Sequence, residues 1–239
     1  GVGRALLEAA EEWFRERGQP SYRWKQVQNW LYTRWATEFG EMTSLPGQLR
    51  DCLAERFRAF SLELCTRQAG RHGTEKFLFT LGDGLTIETV LLHAPDRATV
   101  CVSTQVGCDV RCTFCASGRG GCVRNLTRAE IVDQVVFACR ILGRRVDNVV
   151  VMGMGEPLLN PEGVVPALEL LTSEEGLQIG ARHITVSTSG IVPGIRELAR
   201  QGRQWNLALS LHACTDRKRA RLIPSPHRYP LADILDACE

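Results

Sequence analysis

The chain has 239 residues, 44% of them hydrophobic and 23% charged, and 29 basic against 27 acidic side chains give a net charge of +2. That length buries a sizeable core in one or two domains, and the composition is that of an ordinary globular protein, which sets aside disordered and collagen-like classes. No run approaches the roughly 20 consecutive apolar residues of a membrane helix, no secretory leader follows Gly1, and a charge so nearly balanced permits a nucleic-acid partner without arguing for one.

In chain order, Leu6, Ala10, Trp13 and Phe14 mark the apolar face of a first helix, closed by Gly18 and Pro20. Trp24, Val27, Trp30, Leu31 and Trp35 repeat the spacing in a second. Pro46 opens a third through Leu49, Leu53 and Phe57. Tryptophans at this spacing read as packed core before they read as stacking platforms for bases. From about residue 60 the pattern alternates: Glu75 to Leu81 and Leu85 to Leu92 flank Gly82-Asp83-Gly84, which is a hairpin signature.

From about residue 97, strands and helices take turns. Val100 to Thr104 reads as a strand. Thr127 and Glu130 form a capping box for a helix faced by Ile131, Val132, Val135, Val136 and Cys139. Val149 to Met152 is a buried strand, followed by a helix near 161–172, a strand His183 to Ser187, a helix 191–201, a strand Asn206 to Leu211 and a last helix from Leu231. Repeated βα units imply a parallel sheet with right-handed crossovers, whose ligands gather at the C-terminal strand ends. The expected division is a helical domain over 1–58, a β-rich connector over 59–96 and an α/β unit over 97–239. The chain opens on Gly1 and stops inside its last helical pattern at Glu239, so a longer parent protein is expected.

Ten cysteines need a cause. In a reducing cytosol, the expected location, clustered cysteines bind metal or do catalysis more often than they form disulfides. Only Cys108, Cys112 and Cys115 cluster, on a loop just after a strand. Their C-x3-C-x2-C spacing suits an iron–sulfur cubane, in which three thiolates leave one iron open. Zinc asks for a fourth ligand and more often shows paired C-x2-C spacing, which the chain lacks. Cys101 between Val100 and Val102 reads, unaided, as a buried strand cysteine. Glu88 reads equally as an outward-facing residue. Ser187 and Ser210 could simply end strands by bonding to backbone, and His212 could be a satisfied core histidine. Gly153-Met154-Gly155-Glu156-Pro157 ends the second strand of the α/β unit. It lacks the third glycine and helix of a dinucleotide fingerprint. Its glycines allow close backbone approach, and Glu156 offers an acceptor to an ammonium group.

The C-x3-C-x2-C motif, with Phe114 before its third cysteine, resembles the radical S-adenosylmethionine superfamily. The ordered run CVSTQVGC over 101–108, GMGEPLLN over 153–160, TVSTSG over 185–190, LSLHA over 209–213 and DGLTIETV over 83–90 resembles one branch of it, the RlmN/Cfr family of radical RNA methyltransferases. The resemblance implies a partial (β/α)6 barrel, cut after about four βα units, behind the helical domain and connector. It implies a [4Fe–4S] cluster on Cys108, Cys112 and Cys115, and S-adenosylmethionine lined by Gly155, Glu156, Ser187, Ser210, Leu211 and His212. It implies catalytic roles for Glu88, near the substrate, and for Cys101, which would take a proton from the reacting carbon.

The implied reaction methylates carbon-2 of adenine in 23S rRNA and in some tRNAs. It proceeds through a methyl-cysteine intermediate and uses two S-adenosylmethionine per turnover. The methyl-carrying cysteine of the family lies beyond Glu239, so this chain is expected to bind cluster and cofactor without methylating RNA. Implied partners are the RNA, gripped in part by the helical domain, and an electron donor such as flavodoxin or ferredoxin. A monomer without membrane association is expected. The alternatives are carbon-8 methylation of the Cfr type and a zinc-stabilised RNA-binding module without catalysis. Cys122 departs from the family, which usually carries an aromatic there.

Overall fold

The structure is a computed structural model that describes residues 10–70, 73–225 and 229–239. The expected first helix is present over 10–16, while Leu6 of its predicted face lies outside the described residues. Helices α1 (Ser21–Tyr32) and α2 (Gly47–Arg56) follow, each entered from a proline, Pro20 and Pro46. A proline ring presets the backbone angle at a helix entrance, where its missing N–H costs nothing. Trp13 and Trp24 are buried, and Trp13 meets Phe14 and Phe57 edge-on at 5.3 and 5.9 Å. These tryptophans are core, as their spacing predicts. Trp35 is a correction: α1 ends at Tyr32, and Trp35 stands beyond it in left-handed backbone, φ 54°. A tertiary tie overrides the helical periodicity there, because the Arg140 guanidinium donates to the Trp35 carbonyl at 3.0 Å and to Glu41 at 2.7 Å.

Strands β1 (Glu63–Ala69), β2 (Glu75–Thr80), β3 (Thr86–His93) and β4 (Ala98–Cys101) pair antiparallel in sequence order. The predicted hairpin is β2–β3, with Leu78 opposite Glu88. Beyond β4 the chain runs β5 (Gln105–Gly107), β6 (Cys122–Asn125), α3 (Arg128–Leu142), β7 (Asn148–Val151), α4 (Pro161–Thr172), β8 (Ile184–Thr188), α5 (Val192–Arg200) and β9 (Asn206–Leu209). Two short helices, α6 (Asp216–Leu222) and α7 (Leu231–Asp236), complete it. The main sheet has the order β1-β2-β3-β4-β7-β8-β9, and its last four strands are parallel. This is the α/β architecture expected from the sequence, a parallel barrel segment with helices across its strands and an antiparallel extension on one side.

The parallel strands alternate: Val100, Val149, Val151, Ile184 and Val186 are buried on one face, while Thr99, Cys101, Asn148, Val150, Thr185 and Ser187 are half-buried on the other. The capping box of α3 forms as predicted, Glu130 N–H to Thr127 Oγ1 at 3.3 Å and Thr127 N–H to Glu130 Oε2 at 2.9 Å. Four elements have no counterpart in the sequence reading. β1 is exposed along its whole length, so it shows none of the alternation by which strands are read. β5 and β6 are only three and four residues long and pair as a separate ribbon. α6 is a short polar helix. That ribbon and α6 both bear on the site.

Candidate active site

The C-terminal ends of the parallel strands open on a cavity of about 310 Å³. Cys108, Cys112 and Cys115 line it, with Gly155, Glu156, Ser187, Ser210 and His212 from the strand ends and Ile223 after α6. Sequence reasoning named eight of these nine; Ile223 carries no local signal.

The cysteine loop hangs from the β5–β6 ribbon. Gly107 pairs with Cys122, and the Cys108 N–H donates to the Gly121 carbonyl at 3.0 Å. Gly107 has φ 79°, and a Cβ on it would collide with the Gly121 carbonyl, so only glycine serves there. At its far side the loop is tied to α6: the Thr113 N–H donates to the Leu222 carbonyl at 2.9 Å. Cys108, Val110 and Ile223 form a small apolar cluster with Cys112 packed on it.

Burial pushes the Cys108 thiol up to about 11, and burial also raises Cys112. Neighbouring thiolates work in the same direction at both residues. Such thiols stay protonated near neutrality unless a cation shares the site, since metal ligation requires the thiolate. Among the described residues, no three His, Cys, Asp or Glu side chains close to the spacing of ligands on a single ion. The three cysteines instead stand around one cavity wall. A cubane takes one thiolate per iron, each on a different iron, and this donor set fits it.

The opposite wall is the Gly153–Pro157 turn. Gly155 has φ 105°, and a Cβ there would stand 2.7 Å from the Gln105 Cβ. The turn is bolted to the end of β4: Met154 N–H donates to Ser103 Oγ at 2.9 Å, Thr104 N–H to the Met154 carbonyl at 2.8 Å, and Glu156 N–H to Gln105 Oε1 at 2.8 Å. Ser103 is itself fixed by Gln134 of α3, which is fully buried. Gln134 Oε1 accepts from Ser103 N–H and Thr89 Oγ1, both at 2.8 Å, and Nε2 donates to the Ser103 and Glu130 carbonyls, both at 3.0 Å.

Glu156 is buried, and each carboxylate oxygen already accepts a backbone N–H, from Leu158 at 3.2 Å and from Ser189 at 2.7 Å. The carboxylate therefore braces two loops, and an ammonium would meet only its remaining lone pairs. Ser187 and Ser210 face each other across β8 and β9, hydroxyls 3.2 Å apart. His212 adopts left-handed backbone, φ 58°, and its ring lies 4.5 Å from that of Phe114.

Three expected site residues stand off the cavity lining. Leu211 is 39% exposed. Cys101 sits on β4 beside Val150, half-buried, its thiol pushed up by burial, with the Met152 backbone working against that rise; Met152 does line the cavity. Glu88 projects from β3 with its carboxylate 2.9 Å from the Lys76 ammonium, while its carbonyl accepts the Ser103 hydroxyl at 2.5 Å.

With that geometry in view, two family models match the chain: Radical SAM superfamily over residues 102–239 and Ribosomal RNA large subunit methyltransferase N-terminal domain over residues 6–59. A probable dual-specificity RNA methyltransferase RlmN of Halalkalibacterium halodurans is 47% identical over 97% of this chain and 65% of its own length. Its counterpart in Clostridium perfringens is 43% identical over 97% of this chain and 67% of its own. The crystal structure of a radical SAM methyltransferase from Sphaerobacter thermophilus superposes with a TM-score of 0.92 at 47% identity, over 98% of this chain and 70% of that one. The chain thus spans about two thirds of the length of these relatives. Among the described residues no helix is long and apolar enough to cross a membrane. The chain belongs to the radical S-adenosylmethionine superfamily, which works with a [4Fe–4S] cluster and S-adenosylmethionine, and within it to the RlmN family.

Proposed function

We propose that this chain is the cofactor-binding part of an RNA methyltransferase that methylates carbon-2 of adenine in 23S rRNA and in some tRNAs. The observation that carries the reading is the single cavity shared by three cysteines and the ends of parallel strands β7, β8 and β9. When bound, the cluster and S-adenosylmethionine supply a carbon radical by reductive cleavage, a chemistry that belongs to the cofactor. The protein's share is to bind, orient and shield.

In this reading Cys108, Cys112 and Cys115 hold the cluster. Gly155, Glu156, Ser187, Ser210 and His212 line the S-adenosylmethionine site with Leu211 at its edge, and Glu156 also keeps two of its loops in register through Leu158 and Ser189. Cys101 takes the proton released from the methylated carbon. Burial raises its thiol, so once ionised the sulfur is a strong enough base to take that proton. Glu88 handles protons at the adenine from the β3 side of the same sheet end. Residues 1–58 form the RNA-gripping helical domain, 59–96 a connector and 97–239 the barrel segment. An adenine reaches the cavity flipped from its stack. The reductant is a flavodoxin or ferredoxin, and the protein is a cytoplasmic monomer. The relatives named RlmN favour carbon-2 over the carbon-8 chemistry of the Cfr type.

Anaerobic reconstitution tests the site. About four irons and four sulfides per chain are expected, lost on replacing any one of Cys108, Cys112 or Cys115 with alanine; one zinc and no iron would refute the reading. Nucleoside analysis of RNA treated with the full-length protein is expected to return 2-methyladenosine, and 8-methyladenosine would move the protein to the other branch.

A further inference from the structure

Arg219 of α6 is 4% exposed, although it carries a charge that burial penalises heavily. One of its terminal nitrogens donates to the Ser189 carbonyl, and its buried Nε has no hydrogen-bond partner among the described residues. The groups near enough to act on its charge are Asp216, one turn back on the same helix, and the Cys112 sulfur when ionised. Asp216 is already engaged, accepting the Leu231 N–H at 2.9 Å. The guanidinium cannot swing away from the loop. Ser189, which it grips by the carbonyl, is held through its N–H by Glu156 at 2.7 Å, and Thr113 binds the Leu222 carbonyl at 2.9 Å. The other cations of the loop are spent elsewhere: Arg111 pairs with Asp109 at 3.1 Å in the open, and Arg119 is exposed.

We propose that Arg219 is a positioning residue that serves as the fixed counter-charge of the iron–sulfur centre, raising its reduction potential so that the reductant can deliver an electron. The inference rests on the cluster reading of Cys108, Cys112 and Cys115 given above. The physics is direct. One-electron reduction adds a negative charge, and a buried cation at fixed distance stabilises the reduced form far more than a solvated one. Cluster potentials follow local charge and solvent access.

The test is a redox titration of the reconstituted chain followed by the paramagnetic signal of the reduced cluster, after iron and sulfide analysis of each sample. Arg219→Gln keeps a donor for the Ser189 carbonyl and removes the charge; Arg219→Lys keeps the charge and loses the fork. At a given poise the reduced-to-oxidised ratio is expected to fall about tenfold in Arg219→Gln, equivalent to about 59 mV for one electron. Arg219→Lys should stay within about threefold of the unsubstituted chain.

Full iron loading with an unchanged potential in Arg219→Gln overturns the proposal. So does an equal shift in the Gln and Lys variants, which would assign the effect to geometry. If Arg219→Gln fails to load iron, Asp216→Asn decides: stripping the competing carboxylate should shift the ratio the other way, and no shift overturns the proposal. A chain that takes up no iron at all refutes the cluster reading itself, and with it this one, at the iron analysis before any potential is measured.

Discussion

Helix α3 separates two interiors of different character. Towards the sheet it presents Gln134, neutral and fully buried, whose amide makes four hydrogen bonds and fixes Ser103 at the rim of the cavity. Towards the N-terminal helices it presents Asp133, the adjacent residue, whose carboxylate accepts Ser61 N–H at 2.7 Å and Ser61 Oγ at 2.6 Å. Around Asp133 lie Phe14, Trp24, Leu31 and Tyr32, apolar apart from the tyrosine hydroxyl and the indole N–H. Burial, with help from the Glu130 charge, pushes the Asp133 carboxyl up to about 7. The site side of the helix is held by a group that cannot titrate, and the supporting side by one that can. The clamp of Gln134 on Ser103 is thereby insulated from pH, while the docking of the helical region is not.

The sharpest way to break this contrast is Gln134→Leu. It strands Ser103 N–H, the Ser103 carbonyl and the Thr89 hydroxyl in a buried place, and a loss of about 3 kcal/mol is expected from unpaired polar groups, read as a drop in thermal midpoint at every pH. A loss that varied with pH would refute the insulated role.

Asp133→Asn should behave in the opposite manner. The folded carboxyl titrates near 7 and the unfolded one near 3.8. The folded state therefore holds the extra proton between these values, and the stabilisation it represents is lost as pH rises through about 7. Denaturant titrations of the two chains should diverge by at most about 1.4 kcal/mol per pH unit in that window, with the Asn variant the more stable at pH 8. Parallel curves would show that Asp133 is ionised throughout.

Smaller effects bound the comparison. Thr127→Ala removes the N-cap of α3 and should cost about 1 kcal/mol at any pH, because neither interior depends on it. Asp83→Asn loosens the hairpin tip from Arg124, a pair 2.6 Å apart but partly exposed. It should change stability by less than about 1 kcal/mol, measurable only by a double-mutant cycle.

Much of this was legible in the sequence, and the boundary is physical. The hairpin around Gly82–Gly84, the capping box at Thr127 and the C-x3-C-x2-C loop are local patterns, set by residues a few positions apart. The alternation of strands and helices after residue 97 disclosed the parallel sheet for the same reason. Gln134, Arg219 and Ile223 were not legible as site residues, because each acts through a contact made only when distant segments meet: 103 with 134, 189 with 219, 113 with 222. Glu156 shows a subtler gap. Its charge and place suggested a ligand acceptor; its second task, accepting a backbone N–H on each oxygen, depends on Leu158 and Ser189 and had no sequence signal. Trp35 fitted the helical spacing, and Arg140, more than a hundred residues away, drew its carbonyl out of the helix.

The β5–β6 ribbon carries a consequence for how the iron centre would be assembled. The two ends of the cysteine loop are joined by backbone bonds at Gly107–Cys122 and Cys108–Gly121, so the ribbon carries part of the entropy of closing the loop. In small zinc domains the metal performs that closure and the apo chain unfolds. Here the loading of the centre would be a separate event on a chain already folded. Oxidative loss of iron would leave the stem of the loop joined by the same backbone bonds, and refilling it would require iron, sulfide and release of the three thiol protons.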